Sequence, residues 1–413
     1  MHAAAPGPSP APTGAAVVVV GIGADGWDGL PVASRAVVER ADVLLGSARQ
    51  LALVPGSVGA ERVPWPSPLS EALPGVLDRQ AGRATVVLAS GDPMLSGIGT
   101  TLTRLLGHER VRVLPAPSSA SLACARLGWA VEDTTVVTLV GRPVELLHPH
   151  VQPGRRLLVL GSDAGSPAAV AALLTGRGFG SSTLTVLGNL GGASESVDSG
   201  TAAGWSGSSP ALAVTAVECA ADPGAVPLPT TPGLPDDAFE HDGQLTKSDV
   251  RAVVLARLAP VPGGLLWDVG GGAGSVGIEW MRVHPASRAV AVEASPERAA
   301  RISRNARALG VPHLRVVTGR APEALAGLPG PDAVFVGGGA TAPGLLEACW
   351  DALPSGGRLV ATAVTVESEA VLAGWFARAG GDLVRIGVQH AEPVGRFTGW
   401  KPAMPVTIWS VRR

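Results

Sequence analysis

The stretch WDVGGGAGSVGIEW at 267–280 places one acid, Asp268, just ahead of Gly270, Gly272, Gly274 and Gly277. An apolar run that ends in an acid, turns on glycines and starts a helical pattern brings backbone close to a nucleotide, because a Cβ would hold the ligand off. Two spellings coexist. Gly272, Gly274 and Gly277 fit GxGxxG, the pattern of a dinucleotide site, while Asp268, Gly270, Gly272 and Gly274 fit Asp-x-Gly-x-Gly-x-Gly, which suits S-adenosylmethionine. The Gly-Lys-Ser/Thr ending of a P-loop is missing, which removes ATP or GTP by that route. Charge separates the other two. NAD would set an anionic pyrophosphate beside Asp268, whereas the methyl donor carries a sulfonium and an ammonium that an acid attracts. Glu293, at the end of the next expected strand, suits the ribose hydroxyls of either ligand. The pair Asp268 and Glu293 favours the methyl donor. An NAD-dependent oxidoreductase is the alternative, and a helix cap is the plainer role for Asp268.

The elements around these residues follow a regular pattern. GLLWDV, RAVAVEA, LRVVTG, DAVFVGGG and GRLVATAVT read as strands, separated by the helical patterns SVGIEWMRVH, SPERAARISRNARALG, APGLLEACWDAL and ESEAVLAGWFARAG. Ser295 is expected to cap one helix with Pro296 at its first position. Ahead of them, TKSDVRAVVLARL offers Thr246 and Asp249 as a capping box. The last strands, DLVRIGVQHA and MPVTIWSVRR, have no helix between them and should pair antiparallel. Strands alternating with helices predict a mostly parallel sheet covered on both faces, closed by that pair to give seven strands. Residues 16–220 also alternate. AVVVVGIG, ADVLLG, ATVVLASG and RVRVLP suit one sheet, and TTVVTLVG, RRLLVLG, STLTVLGNLG and ALAVTAVE another, giving two α/β lobes with a cleft.

Composition bounds the rest. The 413 residues exceed what one core usually supports, so more than one domain is expected. The expected organisation is a disordered tail at 1–15, a domain at 16–220, a Pro-rich linker at 221–235 and a second domain at 236–413. A net charge of −2 and the lack of any Lys/Arg run argue against a nucleic-acid partner. Apolar runs fall short of a membrane span, so no membrane is expected either. The 3 cysteines are few and far apart, which suits a reduced, cytoplasmic setting without a disulfide framework. No metal is expected, because His148 and His150 in HPHV lack a third ligand nearby. The Trp residues lack the basic interleaving of a single-strand binder, and no Ser or Cys has a convincing catalytic partner.

Finer detail adds a resemblance. GQLTKSDVRA, DVGGGAGSVGIEW, TGRAPEAL and PDAVFVGGG together resemble the decarboxylating methyltransferases of cobalamin biosynthesis, across most of 236–413. The resemblance implies a class I Rossmann-like methyltransferase fold, and it adds Thr246 and Ala321 to Asp268, Gly270, Gly272, Gly274 and Glu293 as cofactor-binding residues. In the first half, the GIG start, LASGDPMLSGIG, PAPSSASLACARLGW, VGRP and GNLGGASESV resemble the tetrapyrrole methylase family, a class III fold. That resemblance implies a second cofactor set of Gly91, Asp92, Pro93, Ser118 and Ser119. Val140 stands where that family usually has His.

Two methyltransferase folds on one chain imply two S-adenosylmethionine sites serving one tetrapyrrole, a precorrin. The implied chemistry is methylation at carbon 5 by 16–220, and methylation at carbon 15 with loss of the ring C acetate carboxyl by 236–413. Arg142 and Arg320 are expected to clamp the substrate's carboxylates. A homo-oligomer is expected, and no catalytic acid or base is assigned. A class I RNA or small-molecule methyltransferase and a non-catalytic tetrapyrrole-binding protein are the remaining alternatives.

Overall fold

The computed structural model of the chain describes residues 17–413, so the expected tail at 1–15 lies outside the described residues. Two compact units divide the chain. The first comprises the described residues up to Arg142 together with Pro153–Ala225, and the second comprises Pro143–Gln152 and Val226–Arg413.

The first unit holds two sheets. One is built from β1 (Val17–Ile22), β2 (Val43–Gly46), β3 (Glu61–Pro64), β4 (Thr85–Ser90) and β5 (Val111–Leu114) in the order β3-β2-β4-β1-β5, all parallel. The Val-rich β1 is nearly all buried, as a parallel strand covered on both faces must be. Alternate residues feed two cores, Val20 and Ile22 on one face and Val17 and Val19 on the other. The second sheet holds β6 (Thr134–Thr138), β7 (Arg156–Leu160), β8 (Thr183–Gly188), β9 (Ser196–Thr201) and β10 (Ala213–Glu218) in the order β6-β7-β10-β8-β9. Only its β6–β7 pairing is parallel among these neighbours. The two expected lobes are present, and β3 and β9 extend them. Both are edge strands without alternating burial, β9 nearly all exposed and β3 split between exposed ends and a half-buried centre, which leaves no hydrophobic period to read.

The second unit carries β11 (Leu265–Val269), β12 (Arg288–Glu293), β13 (Arg315–Thr318), β14 (Ala333–Val336), β15 (Arg358–Ala363), β16 (Asp382–Ile386), β17 (Gln389–Val394), β18 (Phe397–Pro402) and β19 (Val406–Arg412). Its seven-stranded sheet runs β13-β12-β11-β14-β15-β19-β16, parallel except where β19 enters antiparallel between β15 and β16. Leu266 and Ala291 face one core while Trp267, Val290 and Val292 face the other. The run DLVRIGVQHA, expected as one strand, breaks after Ile386. Its second half pairs with β18 as a separate two-stranded hairpin that exposes Val394, Phe397 and Trp400.

Local details differ from expectation at two places. The capping box of Thr246 and Asp249 does not form, because the helix Ser248–Leu258 begins after Lys247 and has no side-chain cap. Its first N–H, on Ser248, donates instead to Asp236 Oδ1 at 2.9 Å. The Pro-rich stretch is packed from Val226 onward as part of the second unit. Leu234 is buried there, and the N–H groups of Gly233 and Leu234 donate to Glu279 at 2.6 and 3.1 Å. Prolines give up donors but keep carbonyls, and Leu228 and Pro229 use theirs to accept from Arg282. Ser295 caps its helix as expected, accepting the Arg298 N–H. Among the described residues no helix is long and apolar enough to cross a membrane.

Candidate active sites

The ends of β11, β12, β14 and β15 open onto a cavity of about 710 Å³ in the second unit, at the edge where open α/β sheets take their ligands. Asp268, on β11, is only 1% exposed. Its Oδ2 accepts the Gly277 N–H at 2.9 Å, and a Cβ on Gly277 would sit 2.9 Å from that same oxygen. The third glycine of the GxGxxG spelling therefore makes room for a carboxylate. Burial pushes the Asp268 carboxyl up to about 7; the Gly277 hydrogen bond opposes that shift and the Glu293 charge adds to it. A buried acid with one N–H partner is short of compensation, which a cationic ligand would supply. Cap and ligand contact are compatible roles, because the carboxylate has a second oxygen.

Glu293 is 6% exposed at the end of β12. Its Oε2 accepts the Gly272 N–H and its Oε1 the Ser295 N–H, both at 2.9 Å. Two backbone donors fix the carboxylate plane and leave further lone pairs for ligand hydroxyls. Gly270 and Gly272 adopt φ of 73° and 58°. A Cβ on Gly272 would lie 2.8 Å from Gln244 O, and one on Gly270 would lie 3.0 Å from Gly338 N, so three loops meet where side chains would part them. Gly274 does not line the cavity. It precedes the helix Ser275–Val283 with φ of 78° and packs on Ile302, which is a structural rather than a contact role. Thr246, Arg320 and Ala321 do line the cavity.

The segment around Gly243–Lys247, which contains Thr246, forms one wall, and Gly337–Gly339 of PDAVFVGGG another; Thr362 and Met404 also line the cavity and were not singled out by the sequence. Ion pairs pin that wall to the helix Pro296–Ala308: Asp242 to Arg298 and Arg301, each at 2.9 Å, and Glu240 to Arg304 at 2.7 Å. These guanidinium groups hold the Asp242 carboxyl well below the usual range. Asn305, 3% exposed, ties wall to glycine turn. Its Nδ2 donates to Glu240 O and Ala273 O, both at 2.9 Å, and its Oδ1 accepts the Glu240 N–H at 2.9 Å. Behind the wall, buried Arg251 joins Glu279 at 2.5 Å and Asp236 at 3.3 Å, and donates to the Thr246 and Leu234 carbonyls.

The first unit has its own cavity, of about 390 Å³, lined from both of its sheets by Ser90, Gly91 and Ser119 and by Leu187, Leu212 and Val214. Glycine is again required by close approach. A Cβ on Gly21 would lie 2.1 Å from Gly91 O and 2.7 Å from Ala116 N. Asp92, Pro93 and Ser118 build the loops without lining the cavity. Asp92 Oδ1 accepts the Met94 N–H at 2.8 Å, the Pro93 carbonyl accepts from Gly99 at 3.0 Å, and Ser118 Oγ caps the helix Ser119–Leu127 by accepting from Ser121 at 3.0 Å. Arg142 does not line it either, whereas Val140 does. Arg49 and Gln50 line it unforeseen. Only Gln50 had a local signal: the S-x-x-Q in GSARQ is a capping box, with Ser47 accepting from Gln50 N and Gln50 Oε1 accepting from Ser47 N at 2.7 Å.

His148 is buried in the 3-10 segment Val144–His150, which packs beside Gly310 in the second unit. Among the described residues no three His, Cys, Asp or Glu side chains are grouped to hold a metal.

A β13-β12-β11-β14-β15-β19-β16 sheet whose glycine turn closes on a buried acid defines a class I methyltransferase fold, and the first unit adds a tetrapyrrole methylase fold. The family described as Tetrapyrrole (Corrin/Porphyrin) Methylases matches residues 16–203, and the precorrin methyltransferase domain family matches 237–413. The chain is 52% identical over 393 residues to the precorrin-6Y C(5,15)-methyltransferase (decarboxylating) of Sinorhizobium sp, covering 95% of both chains. It is 48% identical over 400 residues to the protein of that name from Mycobacterium tuberculosis (strain ATCC 25618 / H37Rv), covering 96% of this chain and 99% of that one. The crystal structure of the C-terminal domain of precorrin-6Y C5,15-methyltransferase from Rhodobacter capsulatus is 48% identical, with a TM-score of 0.43, covering 45% of this chain and all of that one. The chain belongs to the precorrin-6Y C(5,15)-methyltransferase (decarboxylating) family. Membership makes it a methyltransferase and implies S-adenosylmethionine as its donor.

Proposed function

We propose that this chain methylates a precorrin at carbons 5 and 15 and removes carbon dioxide from the ring C acetate, in cobalamin biosynthesis. S-adenosylmethionine serves two sites, one in each cavity. Carbon 5 belongs to the domain at 16–220, and carbon 15 with the decarboxylation belongs to 236–413, with the Pro-rich 221–235 between them packed on the second from Val226 onward. The observation that carries the reading is identity of 52% across 95% of both lengths to a relative named for both carbons. Two separate glycine-walled cavities support a donor site in each unit.

The donor supplies a methyl group activated on a sulfonium. In the second unit Asp268 offers negative charge to that cation, Glu293 takes hydroxyls, and the Gly270–Gly272 turn supplies close backbone. Gly91 and Ser119 provide the corresponding backbone in the first unit. Apolar walls, Phe335 and Leu345 in one cavity and Leu187 and Leu190 in the other, keep water from the reacting carbon. The protein's task is orientation more than covalent chemistry. Arg320, on the cavity wall, clamps a substrate carboxylate; Arg142 has no such support. The assembly is a cytoplasmic homo-oligomer that needs neither nucleic acid nor membrane. Mass spectrometry of the tetrapyrrole after incubation with donor reads the outcome directly. Two methyl additions and one loss of carbon dioxide are expected, and a product lacking all three changes with authentic substrate refutes the reading.

A further inference from the structure

Arg49 is the cation at the first unit's cavity. It sits in the short helix Ala48–Ala52 directly after β2 and lines the cavity beside Gln50, Ser90 and the half-buried Trp65. Its Nη2 donates to Ser90 Oγ at 2.6 Å, and Gln50 Nε2 donates to the same oxygen at 3.0 Å. Gln50 is itself buried and locked by the capping box with Ser47, so the whole cluster is held from behind. One serine hydroxyl therefore anchors the guanidinium next to Gly91, where the turn after β4 enters the cavity.

Its charge is left without an answer. A guanidinium carries five N–H donors in a planar fork that matches a carboxylate. Arg126 and Arg83 use theirs on Glu195 and Glu61, but among the described residues no carboxylate forms an ion pair with Arg49. Partial desolvation lowers its pKa, and no neighbouring acid acts against that shift. An oriented cation at a cavity mouth with no internal anion is suited to an anionic ligand group.

We propose that Arg49, positioned by Ser90 and Gln50, is a carboxylate subsite that takes an acetate or propionate side chain of the tetrapyrrole and orients the macrocycle for methylation in this cavity. The inference rests on the reading of this cavity as the carbon 5 site. The donor's own α-carboxylate has the same chemistry. Arg49 is exposed and shares the cavity wall with the half-buried Trp65, which favours the larger polycarboxylate.

The test uses the full chain, precorrin and S-adenosylmethionine, with Arg49→Gln and Arg49→Lys. Product methyls at carbons 5 and 15 are resolved by NMR, and S-adenosylhomocysteine binding is measured by calorimetry. Loss of a charged, bidentate contact predicts that Arg49→Gln raises KM for carbon 5 methylation by about 10- to 100-fold, with kcat changed far less and Arg49→Lys recovering part of the loss. Carbon 15 methylation, carbon dioxide release and S-adenosylhomocysteine affinity should stay at wild-type values, which also reports that the variant is folded. An unchanged carbon 5 KM in Arg49→Gln overturns the subsite. Loss of S-adenosylhomocysteine affinity with an unchanged KM overturns it too, and assigns the guanidinium to the donor. A defect at carbon 15 with carbon 5 intact shows instead that the assignment of this cavity to carbon 5 is at fault.

Discussion

Asp268→Asn separates the charge of the buried acid from its role as a cap. The asparagine keeps an oxygen for the Gly277 N–H and removes the negative charge. In donor-free protein the Asp268 carboxyl is pushed up to about 7, so a proton and a cationic donor compete for it below that pH. Competition weakens donor binding by the factor 1 + 10^(pKa − pH), which is about 11 at pH 6 and about 1.1 at pH 8, a difference of about 1.4 kcal/mol. Calorimetry of S-adenosylmethionine binding to the full chain at pH 6, 7 and 8 should show one site that weakens about tenfold toward pH 6 with proton release, while the other does not follow the same curve. Asp268→Asn should bind weakly at every pH and lose that tenfold dependence. Wild-type binding without pH dependence between 6 and 8, or the same dependence surviving in the variant, refutes the reasoning.

Stability gives an independent reading of the same group. Its folded pKa lies above the ordinary 3.8, so the folded protein holds a proton there that the unfolded chain has released. Stability from this group is therefore present below about pH 4 and is lost as pH rises toward 7, by about 4 kcal/mol in total. Donor-free Asp268→Asn should lack that slope and unfold at higher urea than wild type at pH 8. Better stability joined to poorer binding is a combination that a purely structural cap would not produce.

Two further substitutions test the scaffold of the second site. Arg251→Ala leaves Glu279 and Asp236 without their buried partner and should cost about 3–5 kcal/mol in urea unfolding, because the remaining charge stays buried. Asn305→Ala frees the Glu240–Lys247 wall from the glycine turn; hydrogen exchange over 240–246 should accelerate, and S-adenosylhomocysteine affinity at that site should fall by about 1–3 kcal/mol.

The parts of the second site that were readable lie within one strand, turn and helix. Asp268, Gly270, Gly272 and Glu293 are set by local chain direction, so their spacing alone placed them at one sheet edge. The same sequence misled where an identical residue type served packing: Gly274 turns the backbone but faces Ile302. Asn305 and Arg49 were invisible for a different reason. Each is one polar residue on a helix, and its meaning comes from segments far away in the chain, Glu240 in one case and Ser90 in the other. Arg142 was named because it stood in a recognisable motif, and Arg49 was not considered, whereas lining a cavity depends on the fold. In the first unit, Asp92 and Ser118 were expected at the cofactor, and the structure uses their side chains to accept the Met94 and Ser121 N–H groups in a turn and a helix cap.

The chain gives Pro143–Gln152 to the second unit before resuming the first at Pro153. Gly310, at φ of 84°, has no space for a Cβ, which would lie 2.4 Å from Pro149 Cδ and 2.8 Å from His148 Cβ. Arg307 pairs with Glu145 at 3.6 Å beside it. The second unit's surface is therefore drawn from two stretches of the chain. A fragment that begins at the Pro-rich stretch would uncover the Gly310 turn and Arg307, which 143–152 covers in the full chain.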